Sequence, residues 1–273
     1  MTPTPEVALS IAGTDSGGGA GIAADLRTFA AFGVFGTLVV TAVTAQNTVG
    51  VGDILAMTPE MVAAQLDAVL ADLPVRAAKT GMLATAGIVD LLASRGAAGQ
   101  LPPLVVDPVL VASSGDPLLS GDDVVGAYRN LLAHATASTP NLPEAALLAG
   151  HQIGDLETME VAARELHGLG PKLVIVKGGH RRGTESVDVA FDGHAITLLR
   201  APWIDTPNVH GTGCTFSAAI AANIVLGLEP LEATFAAKKF VTRAIRMSSQ
   251  WRLGSGHGPL DQLGAAAGQA DTD

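Results

Sequence analysis

A single cysteine, Cys214, stands in 273 residues, which excludes intrachain disulfides and cysteine-cluster metal sites. What remains for it is the role of a buried small hydrophobe or of a functional thiol. Aromatic side chains make up only 4%, so the core must be built from Ala, Val, Leu and Ile, with close backbone approaches at the 32 glycines. Charged residues are also few, 15% against 48% hydrophobic with a mean hydropathy of +0.38, and such a chain folds rather than staying disordered. Basic residues number 16 against 26 acidic, a net charge of −10 and a pI near 5.0. That is the wrong sign for a broad nucleic-acid surface, so any phosphate site has to be local. No apolar run reaches the roughly 18 residues of a membrane span; the stretch from Phe216 to Leu228 is broken by Ser217, Asn223 and Gly227. The start, Met1-Thr-Pro-Thr-Pro-Glu6, has no basic residue and leads into a strand-like run rather than a cleavable signal. A cytoplasmic protein with no membrane or nucleic-acid partner is expected.

Short β-type runs alternate with helical stretches. The runs are Val7 to Ala12, Thr37 to Thr44, Val75 to Lys79, Leu104 to Val106, Ala135 to Thr139 and Leu173 to Lys177. Helical segments are expected near 21–32, 59–72, 85–95, 121–133, 156–169, 212–227 and 230–249. Segment 59–72 opens with Thr58-Pro59-Glu60, a capping residue followed by proline at the first helical position. Strands apolar throughout, such as Leu173-Val-Ile-Val176, fit a parallel sheet covered on both faces. Ser186 to Phe191, Asp192-Gly193 and His194 to Leu199 read as an antiparallel hairpin at a sheet edge. The expectation is one α/β domain over 6–262, with 263–273 a disordered tail of small polar residues and no fused domain after it.

Gly211-Thr212-Gly213-Cys214 precedes an apolar helical run, so its free N–H groups and the helix dipole converge on a place where an anion binds. The dipole favours the Cys214 thiolate, whereas phosphates crowding the same place push the other way, and the net direction is open. Five glycines fall between Gly13 and Gly21, at the carboxyl end of the first strand, where open α/β sheets bind ligands. No Lys-Ser/Thr pair follows them, so this is no Walker A loop, and the absence of a G-x-G-x-x-G with a ribose-binding acid argues against nicotinamide chemistry. Polar residues recur at strand ends: Gln46-Asn47, Lys79 to Met82, Asp107 to Val109, Thr139 to Asn141 with Glu144, and Lys177 to His180. Taken singly, Asp107 is a turn former, Asn141 and Glu144 a capping box, and Lys177 a solvated tip. Taken together, they supply oxygen ligands, a cation and N–H donors for Mg-nucleotide phosphoryl transfer.

The ordered set Ala12-Gly-Thr-Asp-Ser-Gly-Gly-Gly-Ala-Gly-Ile-Ala-Ala-Asp25, Thr44-Ala-Gln-Asn47, Lys79-Thr-Gly-Met82, Ser113-Ser-Gly-Asp-Pro-Leu-Leu119, Thr139-Pro-Asn-Leu-Pro-Glu144, Lys177-Gly-Gly-His180 and His210-Gly-Thr-Gly-Cys214 closely resembles the hydroxymethylpyrimidine/phosphomethylpyrimidine kinases, within the ribokinase-like superfamily. The resemblance covers residues 6 to about 260 and implies a three-layer α/β/α sandwich. It also implies ATP-dependent phosphorylation of 4-amino-5-hydroxymethyl-2-methylpyrimidine, then of its monophosphate, for thiamine biosynthesis. It places Gln46 on the pyrimidine edge, with Gly13, Asp25, Met82 and Val109 shaping the pocket. Asp107, Asn141 and Glu144 would organise Mg2+ through water, Lys177 would bind ATP phosphates with Thr139 and Asp107 nearby, and Gly211 to Cys214 would form the anion hole. Cys214 stands where sugar kinases of this fold usually carry an aspartate base, so its role as base is less secure than the hole. A homodimer is expected from the resemblance alone, and a monovalent cation is left open. The rivals are a pyridoxine, pyridoxal or pyridoxamine kinase and, from another class, a non-catalytic pyrimidine- or nucleotide-binding regulator. Lys238 and Lys239 are expected at the solvated surface.

Overall fold

Residues 3–110, 123–179 and 184–267 are described by the computed structural model. The Ser113 to Leu119 motif, His180 and residues 268–273 lie outside them.

Chain order runs β1 (Val7–Ala12), α1 (Gly21–Ala31), β2 (Phe35–Val40), β3 (Ala42–Gln46), β4 (Val51–Ala56), α2 (Pro59–Asp72), β5 (Val75–Thr80), α3 (Ala86–Ala97) and β6 (Leu104–Val106). It continues with α4 (Val124–Leu132), β7 (Ala137–Ser138), α5 (Leu142–Ala149), α6 (Leu156–His167), β8 (Val174–Val176), β9 (Glu185–Phe191), β10 (Ile196–Pro202), α7 (Thr212–Val225), α8 (Pro230–Ser248) and α9 (Gln262–Ala267). The main sheet has the order β10-β9-β8-β7-β6-β5-β1-β2. It is parallel from β8 to β2, while β9 runs antiparallel to β8 and β10 antiparallel to β9.

Successive strand residues feed opposite faces, and this parity builds three layers. Ala78, Leu104, Val106 and Val174 pack with α2 to α6, whereas Ala77, Val105, Ala137 and Ile175 pack with α1, α7, α8 and α9. Four alanines on α7, Ala218, Ala219, Ala221 and Ala222, let that helix lie close on the sheet, and they are buried together with Ile220. The α/β class and the edge hairpin are as the sequence suggests; Asp192 Oδ1 accepts from the N–H groups of His194 and Ala195 to close the β9–β10 turn. Among the described residues no helix is long and apolar enough to cross a membrane.

Three expectations need correction. The run from Thr37 to Thr44 is two strands, because Thr41 gives its N–H to Ala12 O and its hydroxyl to Met82 O, and the chain then leaves the sheet. There β3 pairs with β4, a strand not foreseen, in a separate two-stranded sheet. Residues 142–149, read only as a possible cap, form α5. The segment from 263 is not disordered throughout: 263–267 belong to α9, where Ala265 is buried and Gln262 donates to Thr215 Oγ1 at 3.1 Å.

Candidate active site

Strand parity decides which polar residues meet. Lys79, Asp107, Thr139 and Lys177 each follow by two positions a residue packed under α7, namely Ala77, Val105, Ala137 and Ile175, so all four point to the α7 face at the carboxyl end of the sheet. Lys177 Nζ donates to Asp107 Oδ1 at 2.8 Å, Thr139 Oγ1 to the same oxygen at 3.0 Å, and Ser217 Oγ from α7 to Asp107 Oδ2 at 3.1 Å. Burial alone would raise the Asp107 pKa, but Lys177, Lys79 and these donors hold it below the ordinary carboxylate value. Lys177 is likewise held above its ordinary value, since the carboxylates of Asp107 and Glu144 outweigh its burial.

The α7 N-terminus lands on this pair. Gly211 is the N-cap at φ +82, with no side-chain cap, and a Cβ on it would collide with the Gly19 carbonyl. Among the described residues nothing accepts from the N–H groups of Gly213 and Cys214. A Cβ placed on Gly213 would sit 3.3 Å from Lys177 Nζ and 3.6 Å from Asp107 Oδ2, so the open N–H groups, the ammonium and the carboxylate share one small volume. This is the anion-binding arrangement that the glycines suggest.

Glu144 and Asn141 form the capping box of α5: Asn141 N–H donates to Glu144 Oε2 at 2.8 Å and Glu144 N–H to Asn141 Oδ1 at 2.9 Å. Burial, with Asp107 adding to it against Lys177, raises the Glu144 pKa to about 7. Asn141 is bridged to Lys177, which brings the box to the same strand end. A hydrated divalent cation fits this donor set, because a carboxylate whose charge is disfavoured by burial beside a second carboxylate is the group a cation relieves. Among the described residues no cluster of three or more His, Cys, Asp or Glu could hold a metal by itself, so phosphate and water oxygens would complete the shell.

Beyond the carboxyl end of β1, Gly13, Met82 and Val109 come together. Met82 packs with Ala42, Ala84, Val51, Ile54, Ala56 and Val109 beneath the β3–β4 hairpin, and Gly13 lacks the Cβ that would strike Met82 Cε. Gln46 closes β3, half-buried, its Oε1 3.4 Å from Thr44 Oγ1. Asp25 does not join them. It is wholly buried between Ser10 Oγ at 2.6 Å and Lys79 Nζ at 2.9 Å from both its oxygens, so it touches the pocket only through what it supports. Lys79 is held above its ordinary pKa, Asp25 overcoming the effect of burial. Cys214, half-buried, feels the charges of this pair and the Gly21 N–H; burial, the largest influence, raises its pKa above the ordinary thiol value.

Several participants were not assigned from the sequence. Asp15 accepts from Gly17, Gly19 and Ala20 N–H and from His210 Nε2, and so shapes the glycine loop. Ser217 could have been found at helical spacing from Gly213. Lys79 was noticed at its strand end, but its partner is 54 residues away. Lys238 is not a solvated lysine: it pairs with buried Asp188 at 2.7 Å, and Asp188 Oδ1 takes the N–H of Gly178, next to Lys177.

A sequence model of the phosphomethylpyrimidine kinase family matches residues 15–261. The hydroxymethylpyrimidine/phosphomethylpyrimidine kinase of Synechococcus elongatus is 50% identical over 259 residues, covering 93% of this chain and 96% of that protein. The thiamine biosynthesis bifunctional protein ThiED of Geobacter sulfurreducens is 46% identical over 94% of this chain and 52% of its own length. Among solved structures, Bacillus subtilis pyridoxal kinase in an ADP complex superimposes with a TM-score of 0.86 at 37% identity, covering 95% of this chain and 98% of that one. With a match spanning nearly the whole fold, the chain belongs to the phosphomethylpyrimidine kinase family of phosphotransferases.

Proposed function

We propose that the protein phosphorylates 4-amino-5-hydroxymethyl-2-methylpyrimidine with ATP, and then the resulting monophosphate to the diphosphate, for thiamine biosynthesis. The observation that carries the phosphotransferase chemistry is the uncapped N-terminus of α7 set against the Lys177–Asp107 pair. The pyrimidine reading is supported by Gln46, whose amide offers a donor and an acceptor to an aminopyrimidine edge above the apolar floor of Gly13, Met82 and Val109.

In this reading the open N–H groups of Gly213 and Cys214 hold the equatorial oxygens of the transferring phosphoryl group, and Lys177, aligned by Asp107 and Thr139, neutralises charge on the ATP phosphates. Glu144, kept in place by Asn141, and Asp107 would hold Mg2+. Bound there, the ion would offset phosphate charge and order the phosphate chain. Cys214 receives the hydroxymethyl proton. Its thiol is protonated at rest, so the reactive enzyme is the thiolate fraction, which Lys79 and the Gly21 N–H favour. Asp25 keeps Lys79 charged and in position. We place the enzyme in the cytoplasm as a homodimer, supported by the exposed cross-strand pair Val43–Leu55 on the β3–β4 hairpin.

A second reading, pyridoxal phosphorylation, is favoured by the close superposition on a pyridoxal kinase. An assay coupled to ADP release, run with hydroxymethylpyrimidine, its monophosphate and pyridoxal, separates the two. Turnover of both pyrimidines above pyridoxal is the expected result; pyridoxal alone would reverse the assignment, and ADP release with none of the three would leave the acceptor unassigned.

A further inference from the structure

A closed ring of hydrogen bonds surrounds the acceptor end of the site. Ser16 Oγ donates to Gln46 O and accepts from Gln46 N–H, each at 2.7 Å. The adjacent Asp15 accepts from His210 Nε2 at 2.9 Å. His210 N–H donates to Gly258 O at 3.0 Å, and the neighbouring His257 N–H donates to Thr48 O at 2.9 Å, two residues beyond Gln46. Gln46 thus stands on one side of the ring, and Gly211, first residue of the anion hole, follows His210 on the other.

Asp15–His210 is the side chain to side chain link in this ring, and it is shielded, with side chains 2% and 10% exposed. Asp15 already accepts three backbone N–H groups, so Nε2 carries the proton it shares with the carboxylate. Gly19 leaves room for the imidazole, since a Cβ there would strike His210 Cδ2, and Gly19 O abuts Gly211 in turn. The two glycine-rich loops therefore meet along a seam fastened, among the described residues, by this bond between two side chains, with the Gly21 N–H beside the Cys214 thiol as a second tie.

We infer that His210 is a positioning residue: through Asp15 it holds the anion hole at a fixed distance from the acceptor seated at Gln46. The inference rests on the activity proposed above. Misplacement of reacting groups by about 1 Å costs on the order of 100-fold in rate, so a loosened seam acts on kcat before it acts on binding.

The test compares His210→Leu with His210→Gln, whose amide nitrogen reaches the place of Nε2. His210→Leu is expected to lower kcat roughly tenfold or more with less than about a threefold change in acceptor and ATP KM, and His210→Gln to recover most of the loss. A His210→Leu kcat within about twofold of the parent, or a His210→Gln enzyme as slow as His210→Leu, would overturn the assignment. Hydrogen exchange on the substrate-free protein provides a second reading: the amides of Gly17, Gly19 and Ala20 should lose protection in His210→Leu and keep it in His210→Gln. Unchanged protection in both overturns the inference. This readout needs no turnover, so a parent that rejects every acceptor counts against the activity alone while exchange still decides the role of His210. Should His210→Leu not fold, His210→Asn, too short to reach Asp15, takes its place.

Discussion

Lys177 and Asp107, 70 residues apart, meet at 2.8 Å directly under the first turn of α7, where only a glycine, Gly213, leaves space between them and the helix. The carboxylate keeps the ammonium from swinging to solvent; the ammonium lets a carboxylate stay ionised with 2% of its side chain exposed. Neither group could sit there alone.

Replacing Lys177 by Met should therefore do two things. The rate should fall by roughly 10² to 10³, the effect of removing a preorganised donor to a developing charge. Unfolding free energy should drop by about 3 kcal/mol, because Asp107 is left as a buried carboxylate without its nearest cation. Steady-state kinetics and urea unfolding measure both; an active, undiminished Met variant would place the nucleotide elsewhere.

Glu144 makes stability depend on pH in a stated direction. Its folded pKa of about 7 exceeds the ordinary 4.5, so between those values the native state binds more protons than the unfolded one and stability falls as pH rises. Glu144→Gln keeps the capping box and should remove this slope, gaining up to ~3 kcal/mol near pH 8 relative to its own effect at pH 4. Calorimetry in two buffers at pH 6.5 should show protons released from the parent, and not from the variant, when magnesium and nucleotide bind. Equal proton release would mean that Glu144 is only a cap.

The raised pKa of Cys214 sets the shape of the rate profile. With the thiol as proton acceptor, log kcat should climb with pH through the ordinary thiol range and level off above it. Cys214→Ser should flatten that limb and lower kcat by roughly 10² to 10⁴ while ATP binding persists, since the backbone N–H remains. Wild-type kcat in the serine variant from pH 6 to 9 would remove the base and leave the hole standing.

Gln46→Leu should raise the KM for hydroxymethylpyrimidine and spare that for ATP. A buried ring edge left without partners costs roughly 1 to 3 kcal/mol, which is about 5- to 150-fold. An unaltered acceptor KM would take Gln46 out of the site.

The parts legible in the sequence are those with local causes. Helix α2 starts and ends where Thr58, Pro59 and the apolar spacing put it, and the start of α7 follows from Gly211. Polar residues closing apolar strands pointed to the carboxyl edge, because a buried parallel strand tolerates them only where it ends. What stayed hidden depends on distant partners. Nothing near Thr41 announces that its hydroxyl will find Met82 O, so β2 and β3 read as one strand. The resemblance set Asp25 at the pocket, and nothing near it on α1 announces its partner Lys79 on β5, 54 residues on; Lys238 looked solvated because Asp188 lies 50 residues away.

The β3–β4 hairpin leaves the main sheet at Thr41 and returns at Met57, and the N–H of Met57 donates to Thr41 O at 2.8 Å. Entry and exit thus share one hinge point, and the strands between them pair with each other rather than with the sheet. The segment from 42 to 56 is in that sense a cassette: it carries Gln46 and part of the apolar floor, yet no rung of the eight-stranded ladder passes through it. Exchanging this hairpin for that of another kinase would therefore change the Gln46 side of the site without breaking a rung of the main sheet, provided that the graft keeps the ties to Thr14, Ser16 and His257.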